Sequence, residues 1–220
     1  DIGDPASAGS MIERALERTP LVELNSMVLH ESQSRLWENL VCRSRPFWRF
    51  FFPRIQEVFP EQLNGVTEEM YWRYVNRVEP GFIRVEADEI TYGMHIILRY
   101  ELEQEIIAGR VELRDLPHVW NEKMLEYLGL DPRDDAHGVL QDVHWSGGSF
   151  GYFPTYLLGT IASVQIWEKV RSELPDLDSQ MEAGEFGPLR EWLGEHMYRW
   201  GRRFTPDEML ERIVGGPLDV

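Results

Sequence analysis

The sequence predicts a mainly α-helical fold, with at most a small β element near residues 82–86. Three observations support this class. Apolar residues recur with helical spacing over long segments, Pro and Gly stand at the ends of those segments, and only one short segment alternates apolar and polar residues. With 220 residues, 43% of them hydrophobic, the chain can bury a sizeable core. We therefore expect one helical domain over residues 11–220.

The first ten residues are small, polar and rich in residues that break helices. Because Met11 follows directly, we interpret residues 1–10 as a tail or processing remnant and Met11 as the encoded start. Residues 11–18 have a short helical pattern, which Pro20 ends because its ring disfavours helix in the residue before it.

Two helices are predicted next. The first spans about residues 21–45 and ends at Pro46, and the second, strongly aromatic helix spans residues 47–58. Thr67 is predicted to cap a third helix, which runs to about Val78.

The middle of the chain contains the one strand-like segment, residues 82–85, where apolar and polar residues alternate. Asp88 then caps a predicted helix over residues 89–108, whose apolar stripe includes Ile90, Leu98 and Leu102. Three further predicted helices cover residues 120–128, 154–174 and 189–199. A last helix begins at Thr205, which forms a capping box with Glu208.

Charge and composition narrow the possible partners. The formal net charge of −16 repels phosphate backbones and anionic lipids, so we expect neither nucleic acid nor a membrane surface as a partner. No segment approaches the roughly 20 apolar residues of a membrane-spanning helix. Cys42 is the only cysteine, which excludes an internal disulfide and fits a reducing compartment, so we expect a cytoplasmic protein.

The first candidate site lies at residues 30–33, with the sequence His-Glu-Ser-Gln. Glu31 falls where a helix with this periodicity turns towards the core. A carboxylate removed from water needs a partner, since an unpaired buried charge is costly. That partner can be an arginine, a set of N–H donors or a metal ion, and the spacing leaves all three open.

The second candidate site is Arg84, near the start of the helix that Asp88 caps. An arginine in this position can grip a carboxylate with two parallel hydrogen bonds. A structural ion pair with Glu86 or Asp88 fits the same spacing equally well.

The third candidate site joins residues 138–145 to residues 151–156. His144 follows Asp142 closely, and such a pair can stabilise a developing oxyanion or bind a ligand's terminal group. A histidine with a purely structural hydrogen bond is the alternative. Tyr152 and Tyr156 are four residues apart at a helix start, so both rings can face one cleft, although core packing is a common use of such pairs.

Taken together and in this order, these three segments resemble a known family. His-Glu-Ser-Gln at residues 30–33, I-R-x-x-A-D at 83–88 and G-x-x-Q-D-x-H-W at 138–145 are similar to motifs of the Taq-type zinc metallocarboxypeptidases. That family is mostly helical and removes C-terminal residues from peptides. The resemblance covers residues 19–215 and corresponds to the C-terminal part of the family's longer chain.

The resemblance implies a role for each candidate residue. Glu31 would be the third protein ligand of the zinc ion, and Arg84, with Tyr152 and Tyr156, would hold the C-terminal carboxylate of the substrate. His144 would support the tetrahedral intermediate. The family's usual state also implies a homodimer.

The family's other two zinc ligands and its general base come from an H-E-x-x-H helix upstream of His-Glu-Ser-Gln. Residues 1–29 contain no histidine, and no two histidines of the chain are three or four residues apart. One carboxylate cannot replace three protein ligands, so we expect no tight zinc binding and no peptidase activity from this chain alone.

Two hypotheses follow. The chain is the C-terminal portion of a metallocarboxypeptidase that needs a complementary N-terminal half, or it is a non-catalytic pseudo-peptidase that binds peptide C-termini or a protein partner. Apolar surface left without an upstream segment would favour association with a partner or a second copy. The aromatic residues expected on that surface are Trp37, Trp48, Phe50, Phe51 and Phe52.

Overall fold

The computed structural model describes residues 26–219, and all regular structure in that part of the chain is helical. This confirms the predicted fold class. The α-helices are α1 (Met27–Arg35), α2 (Arg45–Val58), α3 (Glu68–Val75), α4 (Thr91–Ile107), α5 (Leu116–Leu128), α6 (Pro154–Glu173), α7 (Leu177–Glu182), α8 (Gly187–His196) and α9 (Pro206–Val214). A π-helix spans Leu36–Val41, and two 3-10 turns span Arg84–Glu86 and Tyr198–Trp200.

The long helix predicted up to residue 45 ends earlier than expected. The hydroxyl of Ser26 accepts a hydrogen bond from the backbone N–H of Val28, so α1 begins at Met27 and continues as the π-helix to Val41. A new helix, α2, then begins at Arg45 with Pro46 in its first turn, where a missing N–H costs nothing. The predicted tail, the predicted helix over residues 11–18 and residues 21–25 of the predicted long helix lie outside the described residues.

The strand predicted over residues 82–85 is wrong. Ile83 has extended dihedral angles, but the next three residues form a 3-10 turn. The backbone N–H of Arg84 donates to Oε1 of Gln141 at 2.8 Å instead of to a neighbouring strand. An amide side chain has therefore taken the place of a strand partner, which explains why the alternation did not produce a sheet.

Asp88 caps α4, as predicted, although the helix begins two residues later than expected. Its Oδ1 accepts hydrogen bonds from the backbone N–H groups of Ile90 and Thr91, at 2.8 and 2.9 Å. Ile90 thus precedes the helix and is exposed, which corrects its assignment to the apolar stripe. Thr67 and Thr205 also cap helices as predicted.

The backbone divides into two compact units, each with its own core. The first contains the described residues up to Val75 together with those from Leu158 onward, and the second spans Asn76–Leu157. Buried side chains of the first core include Leu36, Ile166, Met181, Leu189 and Leu193. Those of the second include Leu98, Leu102, Trp120 and Met124. The single domain expected over residues 11–220 stays a prediction.

The aromatic residues of α2 are less exposed than we expected. Phe47, Phe50 and Phe51 pack against Phe186, and Phe52 is 5% exposed. The large apolar side chains that are exposed at the end of α2 and on α3 are instead Val58, Phe59, Met70 and Tyr74.

Among the described residues, none of the helices has both the length and the apolar composition to cross a bilayer.

The capping box of α9 gives a test of the local structure. The hydroxyl of Thr205 accepts from the backbone N–H of Glu208, and the Glu208 carboxylate accepts from the backbone N–H of Thr205. Replacing Thr205 with Ala removes one cap, so the free energy of unfolding in urea should fall by about 1 kcal/mol. Ser172→Ala, an exposed hydroxyl within α6, is the control and should change stability by less than about 0.5 kcal/mol. Equal effects of the two substitutions would contradict the assignment.

Candidate active-site residues in two units

Glu31 pairs with an arginine, one of the three partners that its position left open. It lies in the middle of α1 and is half-buried, and its Oε1 accepts a hydrogen bond from Nε of Arg35 at 3.1 Å. Arg35 also reaches Oε2 of Glu38 at 3.4 Å. Because Arg35 is four residues after Glu31 on one helix, the pair holds the carboxylate in a defined orientation.

Gly159 sets the distance between Glu31 and the backbone of α6. A Cβ atom placed at Gly159 would lie 2.8 Å from Cβ of Glu31 and 3.0 Å from its Cγ. Such a contact is closer than side chains tolerate, so α6 can lie against Glu31 only because position 159 has no side chain.

A metal ion at Glu31 would need further ligand side chains close by. No three His, Cys, Asp or Glu side chains cluster as a metal site between residues 26 and 219. Within those residues Glu31 is thus not part of a set of three such ligands, the number of protein ligands that a catalytic zinc usually has. The role of Glu31 as a metal ligand stays a prediction.

Arg84 is 6% exposed, and its guanidinium grips a carboxylate of the chain itself. Its Nη2 donates to Oδ1 of Asp142 at 2.5 Å, and its Nε donates to both oxygens, at 3.1 Å to Oδ1 and 3.3 Å to Oδ2. Its Nη1 donates to the hydroxyl of Tyr92 at 3.0 Å. The structure therefore pairs Arg84 with Asp142 and not with Glu86 or Asp88, the two partners that the spacing suggested.

A second arginine also binds Asp142, through Oδ2. Arg99 of α4 is fully buried, and its Nε donates to Oδ2 of Asp142 at 2.7 Å. Burial lowers the pKa of Arg99 to about 10, although the Asp142 carboxylate acts in the opposite direction. Burial by itself would raise the pKa of Asp142, yet the guanidinium groups of Arg84 and Arg99 hold it below its ordinary value. The carboxylate is therefore ionised and shared by two cations.

His95 supports Arg99 as a neutral imidazole. Its Nε2 lies 3.0 Å from the carbonyl oxygen of Gly81, so Nε2 carries the hydrogen and donates it. Nδ1 then faces Nη1 of Arg99 at 3.4 Å as an acceptor, and the same Nη1 donates to the carbonyl of His95 at 2.8 Å. Burial, reinforced by the nearby Arg99 cation, lowers the pKa of His95 to about 4.

His144 and Tyr156 lie beside the same carboxylate. Nε2 of His144 is 3.0 Å from the Tyr156 hydroxyl, and its Nδ1, buried without a hydrogen bond among the described residues, is 3.7 Å from Oδ1 of Asp142. Burial lowers the pKa of His144, and Arg84 and Arg99 lower it further, against the effect of Asp142. His144 is therefore neutral near pH 7.

Tyrosine rings surround these polar groups. The guanidinium carbon of Arg84 lies 5.1 Å from the centre of the Tyr156 ring, a cation–π distance. The Tyr152 ring is 5.7 Å from the His144 ring and 5.3 Å from the Tyr156 ring. The second unit thus brings Arg84, His144, Tyr152 and Tyr156 together around Asp142, whereas Glu31 belongs to the first unit.

Sequence reasoning missed Arg99 and His95, although the sequence contains a signal for them. Thr91, His95, Arg99 and Glu103 are spaced four residues apart along α4, and all four are buried. A row of polar residues at this spacing shares one face of a helix. When apolar residues flank such a row, it predicts a buried polar network.

Substitution of Gly159 tests its contact with Glu31. Gly159→Ala should lower the free energy of unfolding by about 2 kcal/mol, because the methyl group overlaps Glu31. Gly93→Ala is the matched control: Gly93 also lies within a helix, and its added Cβ would be 3.5 Å from Leu157, an ordinary contact. The control should be neutral or stabilising by about 0.5 kcal/mol, because alanine favours helix. Equal loss in both variants would contradict the close approach.

The neutral state of His95 predicts a pH-dependent stability. Its pKa of about 4 in the folded chain lies below its ordinary 6.5, so the unfolded chain binds the proton more tightly. Stability should therefore fall as the pH drops from 6.5 towards 4. The loss from this residue between about pH 7.5 and pH 5 should be about 2 kcal/mol, measured by urea unfolding. His95→Gln, which keeps an N–H donor, should remove that loss, and His118→Gln at the surface should not. A pH dependence that His95→Gln leaves unchanged would contradict the assignment.

Comparison with known proteins places these residues in a family. A family model for carboxypeptidase Taq (M32) metallopeptidases matches residues 9–220. The chain is 44% identical over 209 residues to carboxypeptidase 1 of Bacillus subtilis, which covers 95% of this chain and 42% of that protein. It is 48% identical over 197 residues to thermostable carboxypeptidase 1 of Thermus thermophilus, covering 90% of this chain and 38% of that protein.

A solved structure agrees with the sequence comparison. The crystal structure of the M32 carboxypeptidase from Deinococcus radiodurans R1 superimposes with a TM-score of 0.89 and 43% identity, over 97% of this chain and 44% of that chain. The chain thus spans about two fifths of the length of the relatives it matches. Since the family match extends over almost the whole sequence, the chain belongs to the carboxypeptidase Taq (M32) metallopeptidase family.

Proposed function

We propose that this chain is the C-terminal portion of a zinc metallocarboxypeptidase that removes C-terminal residues from peptides. The observation that supports this best is the cluster around Asp142, which places a buried guanidinium, a neutral imidazole and two tyrosines together. A buried arginine is the side chain best suited to hold the carboxylate that marks a peptide C-terminus.

Each residue of the cluster has a role in this proposal. Arg84 binds the terminal carboxylate, and Tyr152 and Tyr156 line the site beside it. His144 donates a hydrogen bond through Nε2 to the oxyanion of the tetrahedral intermediate. Its lowered pKa suits that role, because a neutral imidazole donates without adding a third positive charge beside Arg84 and Arg99.

Peptide hydrolysis needs more than the described residues provide. In this proposal Glu31 is one protein ligand of the zinc, and an upstream H-E-x-x-H segment supplies the other two ligands and the general base. The curated relatives are more than twice as long as the matched region, which leaves room for such a segment. We accordingly propose that the chain is inactive alone and works in the cytoplasm, paired with a complementary N-terminal half or as a homodimer.

A second candidate function is binding without chemistry. The members of the Asp142 cluster lie within the second unit, whereas Glu31 lies within the first. A pseudo-peptidase could therefore bind peptide C-termini through this cluster without a metal ion.

Reconstitution separates the two candidates. The chain would be mixed with the upstream half of a relative that contains H-E-x-x-H, and zinc content and release of a C-terminal residue would be measured. We expect no release from the chain alone, and release together with about one bound zinc from the mixture. Glu31→Gln in the mixture should lower zinc affinity by at least about tenfold, because a neutral amide is a much weaker zinc ligand.

The proposed binding of the substrate carboxylate by Arg84 is tested separately, through KM. Arg84→Met should raise KM for peptides with free C-termini by about tenfold or more, since it removes a charge-assisted hydrogen bond. Arg73→Met, which removes an exposed arginine, is the control. A reconstituted mixture that binds no zinc and releases no residue would exclude the peptidase. Equal affinity for free and amidated C-termini would exclude both candidates.

A further inference from the structure

We infer that Arg99 is a positioning residue that allows Arg84 to exchange the Asp142 carboxylate for a ligand carboxylate. The inference rests on the proposed function, in which Arg84 binds peptide C-termini. It assigns a role to a fully buried arginine that would have no direct contact with the peptide.

The structure presents Arg84 in an occupied state. Its Nε and Nη2 are bound to Asp142, and its Nη1 is bound to Tyr92. A ligand carboxylate must therefore compete with Asp142 for the guanidinium. If Arg84 were the only partner of Asp142, this exchange would leave a largely buried carboxylate without a counter-charge, which is strongly unfavourable.

Arg99 removes that obstacle because it binds most closely to Oδ2, the oxygen on which Arg84 has only its longest contact. Nη2 and Nε of Arg84 donate to Oδ1 of Asp142 at 2.5 and 3.1 Å, and Nε also reaches Oδ2 at 3.3 Å. Nε of Arg99 donates to Oδ2 at the shorter distance of 2.7 Å. The contacts of Arg84 with Asp142 can open while Oδ2 keeps Arg99 as its charged partner. Asp142 then remains ionised and paired throughout the exchange.

Arg99 is held in place by contacts that the ligand does not disturb. Its Nη1 donates to the carbonyl of His95, and its guanidinium carbon lies 4.6 Å from the centre of the Trp120 ring. His95 is anchored in turn to the carbonyl of Gly81. Arg84, in contrast, lies on a 3-10 turn next to Val85, which is 72% exposed. Of the two arginines, Arg84 is therefore the one that can reorient.

The charges of the cluster favour an added anion. Two guanidinium groups share one carboxylate, and His95 and His144 are neutral. Glu103 is a buried carboxylate on α4, but its hydrogen bonds come from other groups: Nε1 of Trp145 at 2.8 Å and the backbone N–H of Gly151 at 3.1 Å. The three-group cluster thus has one positive charge in excess, which a ligand carboxylate balances.

The test observes both arginines directly in the full chain. The Nε–Hε signals of Arg84 and Arg99 would be followed by NMR during titration with benzoyl-Gly-Leu and with its C-terminal amide. We expect the free acid to shift the Arg84 signal saturably, while the Arg99 signal keeps the position typical of a hydrogen bond to a carboxylate. The amide should move neither signal.

Variants supply the second measurement. Arg99→Met should weaken binding of benzoyl-Gly-Leu by about tenfold or more, because Asp142 then depends on Arg84 alone. Arg99→Lys keeps the charge and should restore part of that loss. Arg110→Met removes a positive charge from an exposed ion pair of the same unit and should leave the affinity unchanged.

The outcomes separate this inference from the function on which it rests. If benzoyl-Gly-Leu does not move the Arg84 signal of the unmodified chain, Arg84 is not the carboxylate anchor, and the proposed function and the inference both fail. If it moves the Arg84 signal but Arg99→Met binds as well as the unmodified chain, only the inference fails. If the Arg99 signal of the unmodified chain loses the position typical of a hydrogen bond to Asp142 during the titration, the inference also fails. This measurement needs no variant, so it remains decisive if Arg99→Met does not fold.

Discussion

The second unit depends on one constraint, which is that the largely buried carboxylate of Asp142 must be neutralised. Arg84 reaches it from a 3-10 turn and Arg99 from the middle of α4, so the carboxylate joins segments that are far apart in the chain. Other polar groups are then positioned by hydrogen bonds to the two arginines. Tyr92 binds Arg84, and His95 supports Arg99. A buried charge thus requires a connected polar network, because each member needs a partner of its own.

This network also explains the protonation states around it. Burial disfavours a charged imidazole, and two cations beside one carboxylate disfavour it further, so the pKa values of both His95 and His144 are lowered. A neutral His144 next to a buried guanidinium can donate a hydrogen bond while the guanidinium attracts an anion. The same interactions that stabilise the fold therefore also favour the carboxylate ligand that we propose for the cluster.

Local sequence signals predicted the local structure well. The caps at Thr67, Asp88 and Thr205 are confirmed, because a side-chain oxygen acts on N–H groups only two or three residues away. Expectations that depended on distant partners were less accurate. The alternation at residues 82–85 did not become a strand, because the Arg84 N–H bonds to the side chain of Gln141. The mixed polar and apolar face of α4 likewise reflects the distant Asp142 and not an apolar core alone.

The sequence by itself determined the helical class, the family and the residues that form the candidate site. The helical class follows from the spacing of apolar residues. The family and the candidate residues follow from motifs, in which particular residue types stand at fixed positions. Only the tertiary structure decided how those residues are paired. Glu86, Asp88 and Asp142 were all carboxylates that could have bound Arg84, and the structure selects the one 58 positions away. It also adds Arg99, which no motif named. The physical reason is that an ion pair between buried groups is chosen by burial and three-dimensional distance, which spacing along the chain does not encode.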